Sequence, residues 1–297
     1  MEEQAIDTRV WRVTGAPLVR GASAGPLSGQ TVAVKDLFAI AGQRVGVGSR
    51  AYLAEAPVET ATAPAVQALL VAGADVVGIA QTDQFAYSIE GLNPDYGAAP
   101  NPAVPGGIPG VSSSGPASAV ALGQASIGMG SDTAGSIRIP ASYQGLWGLR
   151  TTHGAVSLEG VAPLGPRYDT VGWLTRDGST LRAVATVGLA ATPDAVPRDR
   201  PLSGRVVMCS GIEASATEEA RAAVAAVASA VVACGPCRVD LPDPREMFEA
   251  FRVTQSAEAW RSHGAWVDSH PGALGPDIEA RFAWARAVTP DDERTSL

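Results

Sequence analysis

The sequence has 297 residues, of which 46% are hydrophobic and 18% are charged. This composition is typical of a globular protein with a large core, and it excludes a disordered chain. The net charge of −8 argues against binding to nucleic acid or to an anionic membrane surface, because both need a basic face. The 33 glycines and 22 prolines indicate many turns, which favours an α/β or α+β fold over a helical bundle.

The first residues, MEEQAIDTRVWRV, lack the apolar core and cleavage site of a signal peptide. No stretch of the sequence approaches the length of a membrane span. We therefore expect a cytoplasmic protein that binds neither membrane nor nucleic acid.

The predicted elements of the first half alternate between helix and strand. Residues 31–34 predict a short buried strand that ends at Lys35, residues 63–72 predict a helix, and residues 75–80 predict a second buried strand. This alternation favours α/β layering. Residues 91–116 predict a long loop, and loops of that length inside a domain are usually functional or disordered.

Further along, residues 117–125 predict a small-residue helix, residues 130–136 a glycine-punctuated loop and residues 140–145 a helical turn. Strands are predicted over residues 205–209 and 238–241.

Between those two strands, Ser215 and Glu218 match an S-x-x-E capping box for a helix that runs to Ala233. An apolar stripe along this helix is assigned to the core: Val224, Val227 and Val231. The remaining chain predicts helices, and without a repeat or linker we predict one domain over residues 1–297.

Cys234 and Cys237 form a C-G-P-C motif, which resembles a redox dithiol. A redox dithiol follows a strand and opens a helix, which lowers the pKa of its first thiol. This motif follows a helix and precedes a strand, so we interpret it as a Gly-Pro turn.

Lysine is almost absent from the chain. Of the 22 basic residues, 21 are arginine and Lys35 is the single lysine. Arginine cannot be deprotonated in a protein, whereas a buried lysine can. Lys35 is therefore a candidate for proton transfer.

Histidine does not supply an obvious catalytic base. The chain has His153, His263 and His270 but no G-x-S-x-G elbow, so a Ser-His-Asp triad is poorly supported. We interpret His153 as a turn residue. No pair of His or Cys has a ligand spacing that is plausible beside a carboxylate, so we do not predict a zinc site, and we expect neither a metal nor an organic cofactor.

Three short segments instead carry residues suited to catalysis: 33–36 (AVKD), 109–120 (PGVSSSGPASAV) and 130–140 (GSDTAGSIRIP). A serine hydroxyl is a weak nucleophile that needs a base. The apolar run before Lys35 would bury the lysine and lower its pKa toward neutrality. A second serine can relay the proton, and a glycine-rich loop can direct N–H groups at an oxyanion.

Together these segments resemble the amidase signature family, and the resemblance covers roughly residues 30–180. It implies a Ser–cis-Ser–Lys triad with Ser136 as nucleophile, Ser112 as the cis-serine that relays the proton and Lys35 as base. Four backbone N–H groups would line the oxyanion hole: those of Thr133, Ala134, Gly135 and Ser136.

The resemblance also implies an α/β fold with a mixed, twisted central sheet covered by helices on both faces. The segments DTVGWLTRD, IPASYQGLWGLR and HGAVS are most similar to the short branch that includes plant indole-3-acetamide hydrolase. The expected reaction is hydrolysis of a small amide, such as an aryl-acetamide, through an acyl-enzyme on Ser136. The expected partner is that small amide, and a homodimer is one assembly to consider.

The sequence departs from the family pattern at Val111 and Ala134, where the family has glycine. Family members also continue well past residue 297 with further core strands and a substrate-lining region. From this we expect exposed strand edges and an open core face, and with them low activity or poor solubility.

Three alternatives stay open. The chain could be an inactive amidase-like binding module, or an amidotransferase A-type subunit that uses the same triad. The third is a dinucleotide-binding oxidoreductase, because residues 46–51 (GVGSRA) fit G-x-G-x-x-A. No acidic residue ends a second strand about 20 residues later, so we interpret residues 46–51 as a loop.

Overall fold

The computed structural model describes residues 6–88, 91–190, 207–231, 237–239 and 241–297. The strands are β1 (Trp11–Val19), β2 (Thr31–Lys35), β3 (Asp75–Ala80), β4 (Ile127–Asp132), β5 (Trp147–Arg150), β6 (Thr170–Thr175), β7 (Val207–Cys209) and β8 (Cys237–Val239). The helices are α1 (Arg50–Glu55), α2 (Pro64–Val71), α3 (Ser114–Ala121), α4 (Arg138–Tyr143), α5 (Gly178–Leu189), α6 (Ser210–Ser215), α7 (Glu218–Val231), α8 (Pro244–Ser269), α9 (Pro276–Ala287) and α10 (Pro290–Thr295).

The chain divides into two units by its internal packing. The first comprises residues 1–196 and 258–287, and the second comprises residues 197–257 and 288–297. Strands β1 to β6 form one six-stranded sheet in the first unit, and β7 pairs with β8 in parallel in the second. None of the helices in the described ranges is long and apolar enough to cross a membrane. The single domain expected over residues 1–297 stays a prediction.

The six-stranded sheet is mixed, with the order β1-β3-β2-β4-β6-β5. Strand β2 is parallel to both of its neighbours, β3 and β4, and the other pairs are antiparallel. The carboxyl ends of the three parallel strands therefore meet at one edge, where ligand sites of open α/β sheets lie. The predicted α/β fold with a mixed central sheet is confirmed.

Alternating side chains of β2 pack against helices on the two faces of this sheet. Val32 and Val34 belong to a large core that includes Leu69 of α2, whereas Ala33 packs into a smaller core with Ala119 of α3. The predicted covering of both faces by helices is therefore observed. This alternation also explains the continuous apolar run before Lys35, because each face of a doubly covered strand is buried.

Strand β4 carries glycines that permit close packing. A Cβ on Gly128 would lie 2.9 Å from the carbonyl oxygen of Pro116, and a Cβ on Gly130 would lie 2.5 Å from Ser113 Oγ. Real Cβ atoms do not make contacts this short. Helix α3 and the serine before it can therefore lie directly on the backbone of β4.

Most predicted elements of the first unit are confirmed. Strands β2 and β3 and helix α2 lie within one residue of the predicted bounds. The predicted loop over residues 46–51 is confirmed only for residues 46–49, because Ser49 caps α1 and residues 50 and 51 belong to that helix. Helix α3 spans Ser114–Ala121 rather than the predicted residues 117–125. The predicted loop over residues 130–136 is wrong in its first half, because β4 extends to Asp132 and its glycines serve packing rather than turning.

In the second unit the predicted capping box is wrong. Ser215 ends α6, and the hydroxyl that accepts from the first turn of α7 is that of Thr217, 3.3 Å from the Ala220 nitrogen. Val224 and Val227 are 53% and 64% exposed, so the stripe assigned to the core is also wrong in its described part. A helical period identifies an apolar face but does not show what covers it.

The predicted strand over residues 205–209 matches β7 in its described part. Of the predicted strand over residues 238–241, residues 238 and 239 belong to β8, whereas residue 241 lies outside it. Cys234 and residue 233 lie outside the described residues, so the interpretation of the C-G-P-C motif stays a prediction.

Helix α5 offers a test of the packing. A Cβ on Gly188 would lie 2.1 Å from the ring of the fully buried Trp173. Alanine normally stabilises a helix interior by about 1 kcal/mol relative to glycine. Here we expect Gly188→Ala to lower the free energy of unfolding by about 1–3 kcal/mol, because the enclosed ring must shift.

Urea unfolding measures this change. The matched control is Gly178→Ala in the same helix, where the new Cβ would meet the Trp147 ring at an ordinary 3.6 Å. The control should keep or raise stability. Equal stability of the Gly188→Ala protein and the parent would contradict the packing of α5 on Trp173.

Candidate active site

Lys35 ends β2 at the sheet edge where the parallel strands finish, and its side chain is fully buried. Its Nζ lies 2.7 Å from Ser112 Oγ and 3.0 Å from Ser131 Oγ. The structure therefore brings together two of the three predicted triad residues and adds Ser131, which the sequence analysis did not select.

Burial lowers the pKa of Lys35 from its usual 10.5 to about 7, against the attraction of Asp83, Asp132 and Asp169. A lysine with a pKa near the working pH is neutral in a large fraction of molecules. A neutral amine can accept a proton from a neighbouring hydroxyl. The predicted burial of Lys35 is confirmed, and it has the expected electrostatic effect.

The backbone around Ser112 has a cis peptide bond and makes hydrogen bonds with neighbouring segments. The peptide bond between Val111 and Ser112 is cis, as the family resemblance implied. The Ser112 carbonyl oxygen accepts a hydrogen bond from Thr82 Oγ1 at 2.9 Å. The next residue, Ser113, donates its backbone N–H to the Ser136 carbonyl oxygen at 3.2 Å. Ser112 and the predicted nucleophile thus lie in segments that a backbone hydrogen bond joins.

Ser136 ends a short loop between β4 and α4, here called the nucleophile loop (residues 133–136). Its residue surface is 8% exposed. Gly135 has a φ of +143°, a conformation that favours glycine, and a Cβ there would lie 2.7 Å from Ile139. Within the described part of the chain, no hydrogen bond joins Ser136 Oγ to Ser112 Oγ.

The four backbone N–H groups of the nucleophile loop are available as donors. In the ranges that the structure covers, none of them donates to another protein atom. Nearly all backbone N–H groups in a folded protein are paired, so four consecutive donors free of protein acceptors are unusual. Their role as an oxyanion hole stays a prediction.

Asp132, which the sequence analysis did not select, holds both ends of the nucleophile loop. Its Oδ2 accepts from the Ile137 backbone N–H at 3.1 Å, and its Oδ1 accepts from Arg138 at 2.9 Å and from Arg150 at 2.8 Å. Burial alone would raise the pKa of Asp132, but the hydrogen bonds from Arg138 and Arg150 outweigh it and lower this pKa to about 2. The carboxylate is therefore charged at neutral pH.

Asp169, also not selected from the sequence, ties the nucleophile loop to the segment before β6. Thr133 Oγ1 donates to Asp169 Oδ1 at 2.5 Å. The backbone N–H groups of Leu164 and Gly165 donate to Asp169 Oδ2 at 2.9 and 3.1 Å. Both carboxylate oxygens of Asp169 are thus engaged.

The histidines have structural roles. His153 lies in a turn, as predicted, with its Nε2 2.9 Å from the Pro166 carbonyl oxygen. Burial lowers the pKa of His263, so its ring is neutral and its Nε2–H donates to the Pro163 carbonyl oxygen at 2.6 Å. His270 stacks on a tryptophan ring.

Comparisons with known proteins show the family of this chain. The family model described as Amidase matches residues 14–236. Amidase 1 of Oryza sativa subsp. japonica is 47% identical over 171 residues, which cover 58% of this chain and 39% of that protein. Amidase 1 of Arabidopsis thaliana is 34% identical over 312 aligned residues, covering 95% of this chain and 73% of that protein.

A solved crystal structure described as an amidase superposes with a TM-score of 0.82 at 28% sequence identity. It covers 98% of this chain, and this chain covers 69% of it. The family model and the superposed structure together identify an amidase-type α/β protein. The chain belongs to the amidase family.

Proposed function

We propose that this protein hydrolyses a small carboxylic amide to the acid and ammonia through an acyl-enzyme on Ser136. The observation that carries the proposal is the 2.7 Å contact between the buried Lys35 Nζ and Ser112 Oγ. It is supported by the backbone hydrogen bond between Ser113 and Ser136 and by the four N–H groups of the nucleophile loop.

Acylation begins with neutral Lys35. Its amine takes the proton of Ser112, which in turn takes the proton of Ser136. The Ser136 oxygen attacks the amide carbonyl, and the loop N–H groups stabilise the oxyanion that forms. The C–N bond then breaks as the proton returns from the lysine through Ser112 to the leaving nitrogen, and ammonia departs.

Deacylation uses the same groups. A water molecule takes the place of the amine, loses its proton through Ser112 to Lys35, and attacks the acyl carbonyl. The acid is released and Ser136 regains its proton. Each proton that leaves a nucleophile in one half of the cycle is returned to a leaving group, so Lys35 ends neutral.

An aryl-acetamide such as indole-3-acetamide is the leading candidate substrate, because of the sequence segments that resemble the indole-3-acetamide branch. Ammonia release from a panel of aryl-acetamides, short aliphatic amides and allophanate tests this assignment. The highest kcat/KM should belong to an aryl-acetamide. Preference for allophanate would contradict it.

The pH dependence provides a further test. We expect kcat/KM to rise with pH through about 7, because Lys35 must be neutral to accept a proton. Asp83 exerts the largest opposing charge on Lys35, and burial raises the pKa of Asp83 itself to about 7. The Asp83→Asn variant loses this negative charge, which should lower the pKa of Lys35 and shift the acid limb to lower pH.

The measurement is the pH profile of kcat/KM with an uncharged amide, so that the substrate does not titrate. Asp177→Asn is the control, because Asp177 is an exposed N-cap that asparagine can replace. Its acid limb should match that of the parent. An acid limb that stays in place in Asp83→Asn would argue against Lys35 as the titrating base.

The alternatives make different predictions. A binding module would fold but would not turn over any amide. An amidotransferase A-type subunit would release ammonia from glutamine only with its partner subunits. A cytoplasmic location, a homodimer and the lack of any cofactor stay predictions.

A further inference from the structure

A cavity of about 230 Å³ lies beside the candidate active site. Its walls are mainly the apolar side chains of Leu37 and of residues 158–166, here called the pocket wall. Its polar lining residues are Ser131 and Asp169. An apolar cavity of about 150 Å³ can hold benzene, so this space can admit one aromatic ring or a short branched chain.

Both polar residues connect the cavity to the reacting groups. Ser131 Oγ is 3.0 Å from Lys35 Nζ, and Asp169 accepts a hydrogen bond from Thr133 of the nucleophile loop. Each of these two lining residues is thus one hydrogen bond away from the predicted base or from the loop that carries Ser136.

The charge of the cavity disfavours anions. Asp169 is the charged residue in its lining, and both oxygens of this carboxylate already accept hydrogen bonds from Thr133 and from the pocket wall. Within the part of the chain that the structure describes, no arginine or lysine lines the cavity. A second carboxylate there would be desolvated and unpaired beside Asp169, which is strongly unfavourable.

Helix α8 makes hydrogen bonds with the pocket wall and with the residue that follows it. His263 donates to the Pro163 carbonyl oxygen at 2.6 Å, and Glu258 accepts from the Arg167 backbone N–H at 2.9 Å. The Arg167 side chain also lies 3.6 Å from the Glu258 carboxylate. The first cation after the pocket wall is therefore already paired with an acidic residue.

We propose that this cavity binds the acyl side of the substrate and selects uncharged, apolar acyl groups over acyl groups that carry a carboxylate. This inference rests on the proposed function of the same site. It narrows the substrate class to amides such as phenylacetamide and excludes amides of dicarboxylic acids.

The experiment uses one matched pair, phenylacetamide and 4-carboxyphenylacetamide. Binding of each is measured by calorimetry to the Ser136→Ala protein, so that neither is consumed. Phenylacetamide should bind at least about tenfold more tightly than its carboxylated partner. This difference corresponds to about 1.4 kcal/mol.

The Leu158→Arg variant should reverse the preference, because it places a cation in the pocket wall. Leu158→Gln is the matched control, since it is polar and of similar length but uncharged. It should weaken phenylacetamide binding without favouring the carboxylate. The comparison of phenylacetamide with 4-carboxyphenylacetamide uses a protein whose pocket wall is unchanged. The inference therefore stays testable even if Leu158→Arg fails to fold.

Equal or tighter binding of 4-carboxyphenylacetamide in the parent pocket would overturn the inference. Failure of the proposed function is seen separately, as a lack of ammonia release from every amide and of Ser136 labelling by a fluorophosphonate probe. Selective binding of phenylacetamide without turnover would support the pocket and overturn the hydrolase. Turnover that favours carboxylated amides would support the hydrolase and overturn the pocket.

Discussion

The Ser136→Ala variant should lose amide hydrolysis, with kcat lower by about 10⁶-fold, the scale seen when a serine nucleophile is removed from a hydrolase. Without the Ser136 oxygen no acyl-enzyme can form. The loop N–H groups can still bind a carbonyl oxygen, but they cannot supply the attacking atom. Binding of the amide should therefore persist while turnover is lost.

Covalent labelling by a fluorophosphonate probe tests the same nucleophile. The parent should be labelled once, and Ser136→Ala should not be labelled. Ser23→Ala, which changes an exposed serine, is the control and should be labelled like the parent. Labelling that persists in Ser136→Ala would move the nucleophile to another serine, with the buried Ser112, Ser113 and Ser131 as candidates.

The Lys35→Met variant should lower kcat/KM by about 10²–10⁴-fold, the usual contribution of a general base. Methionine has a similar length and is apolar, so it fits a site where the lysine side chain is fully buried. Lys35→Arg should lose as much activity, because arginine stays protonated and cannot take the proton of Ser112.

Stability measurements separate this loss from misfolding. The pKa of Lys35 in the folded protein lies near 7, below its unfolded value of 10.5. The folded state therefore binds fewer protons between these values, and this lysine makes the protein less stable as the pH falls from about 10 to 7. Lys35→Met should lack that contribution and should be at least as stable as the parent at pH 7. Full activity of the arginine variant would show that Lys35 is not the base.

Much of the first unit could be predicted from local sequence. The TVAV run indicated a buried strand, and its alternation between two cores shows why all four residues are apolar. Lys35 was identified because a single lysine among many arginines suggests chemistry that arginine cannot perform. The family motifs indicate Ser112 and Ser136 as a pair. In the structure, the hydrogen bond from the Ser113 backbone N–H to the Ser136 carbonyl oxygen joins the two segments that contain them.

Residues that act across long sequence distances were not predicted. Asp169 meets Thr133 across 36 residues, and His263 meets Pro163 across 100. No local pattern marks such a partner, because its role depends on where the sheet brings the chain back. Asp132 was closer to prediction, since Arg138, the partner of its carboxylate, follows within the same motif.

The contact between Lys35 and Ser112 joins residues 77 positions apart, and the contact with Ser131 spans 96. Contacts of this kind form only after the long loops between them have closed. A chain with its helices formed but β2 and β4 unpaired has no such constellation. We therefore expect the fraction of a preparation that a fluorophosphonate probe labels at Ser136 to equal the fraction of molecules whose central sheet is complete. Total protein concentration and helical content do not reveal this fraction.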